Sequence, residues 1–406
     1  MDFTDIELST IFTAFEKSND NSILPFLDEE ARNDYSKRDR GDIFTELPIE
    51  HMLKTYQGRQ ELLRGLQSPG VASSVAIVSY LKLLCRYKYI SKEILDQILG
   101  VIDVIPTRDE KRKAFLRNLL EFPYGLIREM ETDINRVTRK IDDQLFGMRR
   151  AKDAILEFIT LLFYSGSPRP TSIILSGPPG VGKTSFAYAV AHALNLPTIK
   201  ISFAGTFDTA VLTGMQFGWS SSTPGIIFKE FIRVRCSNPV VVCDEIDKSG
   251  CASTGKVEYI LAELLNPAQS SEYKDNYMGF AVDLSRAFYI CTCNELPCVP
   301  NYIRDRCHIV EIEEYNRDER FMIIKKYLPA QLREDYDLAF DLEVSDEVAE
   351  CLSRGLSLRE AKRRMLSLAA RKLKEGDRPG ERLRIDCYDE ALFGGTGIRQ
   401  PIGFMR

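Results

Sequence analysis

Two hydrophobic patterns divide the chain near residue 140. Before that point apolar positions recur at helical spacing: Ile77, Leu81 and Leu84 share one face, as do Ile94, Ile98 and Val101. A further helical run over 109–140 is broken near Pro123. From about 141 short, continuous apolar runs bounded by turn residues alternate with helical stretches. Strands are expected at Thr171–Leu175, Pro197–Ser202, Val240–Cys243 and Ala287–Thr292, with a helix over Thr184–Leu194. Runs apolar at every position suit a parallel sheet covered on both faces, and strands alternating with helices make a doubly wound α/β domain. After about 315 the pattern is purely helical until about 374. A turn over Lys374–Gly380 and a short tail follow.

A chain of 406 residues has room for two or three domains, and 44% apolar residues can build their cores. The net charge of −5 argues against nonspecific binding to polyanions. Residues 28–42 mix both signs of charge and read as a solvated face. The acidic N-terminus does not resemble a signal or transit peptide, and no run approaches the roughly 18 apolar residues of a membrane span. The ten cysteines form no Cys-x-x-Cys pair, and Cys291 and Cys293 lie in an apolar run. All ten are expected to be reduced, in a cytoplasmic protein. The three histidines, His51, His192 and His308, lack zinc-ligand spacing.

The segment Gly177-Pro178-Pro179-Gly180-Val181-Gly182-Lys183-Thr184, followed by Ser185, fits a phosphate-binding loop between a strand and a helix. Glycines let the backbone curl so that its N–H groups meet phosphate oxygens, and the helix presents its positive end to the same anion. Lys183 is expected to reach the β and γ phosphates of ATP, and the Thr184 hydroxyl to bind Mg²⁺. The run Val240–Asp247 supplies acids at the tip of a buried strand: Asp244 for Mg²⁺, Glu245 as general base toward the attacking water. Asp247 and Lys248 read as a surface pair. Asn294, ending the next strand, is a candidate to orient the water.

These segments, with their neighbours, resemble the ATPase module of the Lon proteases. The resemblance rests on Ile141–Met148 and Ala151–Phe158 upstream of the sheet, then Asp244–Lys248, Glu263–Gln269, Asp283–Ser285 and Ile290–Asn294 in the family's order. It is good over about 141–370, faint from 115, where Leu119–Gly125 resembles a Leu-Pro-Trp-Gly turn, and absent before. It implies an α/β AAA+ P-loop ATPase with a C-terminal helical lid, preceded by a mostly α-helical domain. The expected boundaries are 1–140 for the helical partner or substrate domain, 141–312 for the AAA+ domain, 313–376 for the lid and 377–406 for the tail. The resemblance further implies that Phe146, Gly147 and Tyr315 lie near the nucleotide. It makes Arg306 an arginine finger reaching a neighbouring subunit's γ-phosphate, and puts Arg359 over the phosphates. Trp219 matches a pore-loop aromatic that grips a translocating polypeptide, although Ser220 and Lys256-Val257 depart from the family pattern.

The tail is too short for the Lon peptidase domain, so the expectation is an ATP-driven unfoldase or remodeller without peptidase activity. Its expected partners are itself, as a homohexamer, a polypeptide substrate, and a separate protease or effector. Two other classes compete: a nucleic-acid-associated machine, resting on the basic run Arg363–Lys374, and a nucleotide-switched scaffold or defence sensor. A solvated helix face explains the basic run without nucleic acid, and no membrane partner is expected.

Overall fold

The computed structural model describes residues 52–66, 73–86, 88–102, 110–164, 172–205, 208–216, 222–248, 251–252, 255–354, 357–375 and 382–386. The charged segment 28–42, Trp219, the linker residues 376–380 and the tail from 387 lie outside them.

Four helices open the described chain: α1 (Tyr56–Leu66), α2 (Ser73–Arg86), α3 (Lys92–Ile102) and α4 (Glu110–Glu121). Their apolar faces bury Leu62, Ile77, Leu81, Leu84, Ile98 and Leu119. They do not form a separate core. Phe122, just past α4, stacks on Phe228 of the α/β domain with ring centroids 4.5 Å apart, and both residues belong to one apolar cluster. The turn after Phe122 is held from both sides. Buried Arg59 donates to the carbonyls of Leu53 (2.5 Å) and Tyr124 (2.6 Å), and Ser237 N–H donates to Leu126 (2.6 Å).

Helix α5 (Ile134–Gln144) is capped by Asp133, whose side chain accepts from the N–H groups of Asn135 and Arg136. After α6 (Arg149–Tyr164) come the strands β1 (Ser172–Ser176), β2 (Thr198–Ser202), β3 (Val240–Asp244), β4 (Phe288–Cys293) and β5 (Cys307–Glu311). They form one sheet in the order β2-β3-β4-β1-β5, every pairing parallel. All six positions of β4 are buried, as are all five of β1. Each large aliphatic side chain taken fully out of water there contributes about 1.5–3 kcal/mol. Helices α7 (Lys183–Ala193), α8 (Ile226–Val234) and α9 (Val257–Leu264) connect the strands. Strand β5 has no counterpart among the four expected strands. It lies at the sheet edge, where His308, Ile309 and Glu311 are exposed, so no continuous apolar run marks it.

The C-terminal part holds helices α10 (Arg317–Met322), α11 (Leu328–Tyr336), α12 (Asp346–Ser353) and α13 (Leu358–Glu375). The expectation of a purely helical segment is corrected by a parallel pair, β6 (Asp341–Val344) and β7 (Arg382–Ile385). Leu342, Val344, Leu383 and Ile385 alternate inward and are buried in the core of this part. Four residues per strand, far apart in sequence, are too short for a period of two to stand out. Among the described residues no helix is long and apolar enough to cross a membrane.

Candidate functional site

The site forms beyond the carboxyl ends of β1, β3 and β4, where open parallel sheets place their ligands. The loop from Gly177 to Gly182 leaves β1 and enters α7 at Lys183. Its start is pressed against the chain just after β5: a Cβ at Gly177 would lie 2.2 Å from the Ile312 carbonyl oxygen, so only glycine fits. Gly180 and Gly182 take φ of +83° and +98°, which turns the loop back over the helix N-terminus. Val181 is buried beneath the loop, while Pro179 and Ser185 are exposed.

Lys183 sits at the centre. Its Nζ donates to Gly177 O (2.6 Å), Pro178 O (2.8 Å) and Asn294 Oδ1 (2.8 Å). Burial lowers its pKa, against the raising influence of Cys293, Asp247, Asp244 and Glu245. Asp244, at the tip of β3, accepts from three side chains: Thr184 Oγ1 (3.1 Å) and Thr292 Oγ1 (2.6 Å) on Oδ1, and Lys200 Nζ (2.8 Å) on Oδ2. Burial raises the Asp244 pKa, but the Lys200, Thr292 and Thr184 donors outweigh it and hold the carboxyl below its ordinary value.

Glu245 follows with φ +56°, a left-handed conformation that L residues adopt at a cost. Its N–H donates to Thr292 Oγ1 (3.0 Å), and its carboxylate pairs with Lys248 Nζ (2.7 Å). Asp247 and Lys248 therefore do not pair with each other. Asp247 Oδ2 accepts from the N–H groups of Asn294 (3.0 Å) and Glu295 (3.1 Å), fixing the end of β4.

The C-terminal helical part approaches this group at Ser357. A Cβ at Gly180 would lie 3.6 Å from Ser357 Cβ, two residues before Arg359. Arg359 itself is exposed and lies within electrostatic range of Lys248. On the other side a Cβ at Gly182 would meet Met148 Cε at 3.4 Å and Tyr315 Oη at 3.9 Å. A Cβ at Gly147 would lie 3.0 Å from Glu319 Oε1 and 3.3 Å from Tyr315 Cε1, and Phe146 packs on Tyr327 at 5.1 Å between centroids. A cavity of about 320 Å³ opens there between Met148, Ile312 and Tyr315. Burial pushes the Tyr315 pKa up.

Arg306 is not part of this group. Cys307 pairs with Ser172 at the start of β1, whereas the loop leaves β1 after Ser176. Four residues of strand, about 13 Å, separate Arg306 from its own chain's loop. Its Nη1 donates to Ala262 O (3.1 Å).

Trp219 lies outside the described residues, but the base of its loop does not. Met215 N–H donates to Thr223 O (3.1 Å). Asp275, fully buried, accepts from the N–H groups of Gly225 (2.8 Å), Tyr277 (2.9 Å) and Met278 (3.2 Å). A Cβ at Gly225 would lie 2.0 Å from Leu212 O, so the two ends of the loop close on a glycine contact.

The family model for the ATPase family associated with various cellular activities (AAA) matches residues 173–314. Among curated relatives, Lon protease 4 of Sorangium cellulosum is 33% identical over 262 residues, 64% of this chain and 33% of that protein. The mitochondrial Lon protease homolog of Drosophila melanogaster is 33% identical over 243 residues, 60% of this chain and 24% of its own. This chain carries a Lon-like AAA+ ATPase module. The Lon protease of Karelsulcia muelleri is 28% identical over 375 residues, 89% of this chain and 43% of its own. A match of that extent reaches into the region before residue 115, where motifs alone show no resemblance. This chain spans less than half the length of each of these relatives.

The AAA+ assignment brings nucleotide binding with it, and the donor set fits. Backbone N–H groups and Lys183 suit phosphates, and the Thr184 hydroxyl and Asp244 carboxylate are the hard oxygen ligands that Mg²⁺ takes. Sequence reasoning missed Lys200 and Thr292. A threonine inside an otherwise apolar strand, two residues before Asn294, was the signal available for the second.

Proposed function

We propose that this chain is the motor of an ATP-driven ring, working in the cytoplasm, that unfolds, translocates or remodels polypeptides and has no peptidase activity of its own. The observation that carries the reading is the convergence of Lys183, Thr184, Asp244, Glu245 and Asn294 around one phosphate loop. In this reading the loop N–H groups and Lys183 bind the β and γ phosphates. Thr184 and Asp244 hold Mg²⁺, which neutralises charge on the transferred phosphoryl group. Glu245 takes the proton of the attacking water, and Asn294 orients that water. Phe146, Gly147 and Tyr315 border the base, and Arg359 approaches from the lid. Arg306 acts on the phosphate held by the next copy of a homohexamer, consistent with its distance from its own loop. Trp219 grips the polypeptide from a loop whose base Asp275 holds. A separate protease or effector would receive what the ring delivers.

The test is Glu245→Gln. Nucleotide binding should stay near the wild-type level while hydrolysis falls by about 10² or more. Polypeptide substrates should co-purify with this variant. Hydrolysis at full rate would remove Glu245 from the role. Trp219→Ala should retain basal ATPase and lose remodelling of a model protein. No observation favours the nucleic-acid reading. In the basic run, Arg363 and Arg364 pair with Glu360, Arg371 with Glu375 and Lys372 with Asp386.

A further inference from the structure

The Lys200–Asp244 pair is not explained by stability. The Lys200 side chain is 45% exposed, and ion pairs in contact with water contribute little to folding. The site also has enough hydroxyl donors without it, since Thr184 and Thr292 both donate to Oδ1 of Asp244. Among the described residues Lys200 alone donates to Oδ2. It is placed by register: β2 and β3 are parallel, with Ser202 beside Asp244 and Lys200 two residues earlier. Its long stem reaches forward along the strand to the carboxylate.

A divalent cation on Asp244 would sit about 2.1 Å from a carboxylate oxygen. The Lys200 ammonium, 2.8 Å from Oδ2, would then lie within a few ångströms of that cation, in a half-buried place where like charges repel strongly. The two cannot share Asp244 without cost. An exposed, flexible lysine can swing into water, whereas Thr184 and Thr292 are anchored on α7 and β4.

We propose that Lys200 is a positioning residue that acts as a resident counter-ion of Asp244, displaced when Mg²⁺ loads with nucleotide, and that it thereby sets the Mg²⁺ concentration the site requires. This rests on the reading that Asp244 holds the metal. It makes Lys200 a competitor for the metal ligand rather than a contributor to the chemistry.

The experiment is equilibrium binding of a fluorescent ATP analogue to the full chain, titrated with Mg²⁺, in wild type, Lys200→Met, Lys200→Arg and Asp244→Asn. In Lys200→Met the Mg²⁺ midpoint should fall about tenfold, the scale of a charge-assisted hydrogen bond. Binding without Mg²⁺ should change by less than about twofold, and Lys200→Arg should keep the wild-type midpoint. If Lys200→Met does not fold, Lys200→Gln is read the same way. A midpoint unchanged or raised in the folded variant, with or without a lower melting temperature, overturns the inference and leaves Lys200 as a structural pair. Wild-type binding that ignores Mg²⁺, or an Asp244→Asn midpoint equal to wild type, overturns the metal assignment and this inference together.

Discussion

Two carboxylates in this domain are shielded from water and meet opposite fates. Asp244 faces an ammonium and two hydroxyls, and its pKa is held down despite burial. Asp275 is fully buried and accepts three backbone N–H bonds, yet burial pushes its pKa up to about 6. Lys229 is the cation that opposes this, and it contributes least of the influences on Asp275. Three N–H groups lower the Asp275 pKa but do not outweigh its complete burial, whereas at the less deeply buried Asp244 an ammonium and two hydroxyls together do. The first arrangement suits a ligand that must exchange partners, the second a permanent fastening.

The largest effect expected from breaking this contrast is at Asp244. Asp244→Asn keeps the shape but removes the charge facing Lys200 and the metal. ATP hydrolysis should fall by about 10² or more, with little change in the denaturant midpoint. A large loss of stability with retained turnover would reverse the roles assigned to the two acids.

Asp275→Asn should show the complementary behaviour. An amide can accept from Tyr277 and Met278 through its oxygen, but its NH₂ then faces the Gly225 N–H, donor against donor. Leaving a buried donor unpaired costs about 1–3 kcal/mol, read by urea denaturation. The phosphate site is built on other strands, so nucleotide affinity should be unchanged.

The same residue gives a pH dependence whose sign is fixed. Its folded pKa of about 6 lies above the ordinary value of 3.8, so the native state takes up a proton that the unfolded chain does not. This contribution is fully present below about pH 3.8 and is lost as pH rises through about 6. Between pH 6 and pH 5 it should add about 1 kcal/mol to stability. The difference between wild type and Asp275→Asn across that interval isolates it from the other acids. A constant difference would mean that the three N–H groups suffice to keep Asp275 ionised.

The two acids also differ in how far sequence reveals them. Asp244 ends the buried apolar run Val240–Cys243, in fixed order after the phosphate loop, so its place could be read. Asp275 stands in Tyr273-Lys-Asp-Asn-Tyr277, which looks like any polar turn, and only the fold brings it under Gly225. Lys200 has the same difficulty: exposed positions alternate along β2, and a lysine there passes for solvated. Motifs with a rigid local geometry are legible. Contacts made by register between separate segments are not, because one chain's pattern does not say which strand lies beside which. The pair β6 and β7 was missed for that reason, and edge strand β5 because its exposed positions interrupt the apolar pattern.

The smallest effects are expected where a cation and a carboxylate meet in open water, which sharpens the contrast with Lys200 and Asp244. Arg363 pairs with Glu360 at 2.8 Å, as close as Lys200 lies to Asp244, but its side chain is 78% exposed. Solvent screening should leave Arg363→Ala within about 0.5 kcal/mol of wild type. ATPase should be unchanged, because Arg363 pairs with Glu360 of its own helix and not with a residue of the phosphate loop. The variant also bears on the competing nucleic-acid reading. If the basic run bound a phosphate backbone, removing one cation would lower affinity for any DNA and reduce the log-log salt slope by about 1. Pairing within the helix predicts instead that neither wild type nor Arg363→Ala shows steep salt-dependent DNA binding. Equal distances would then have two meanings, set by what the carboxylate has to hold next.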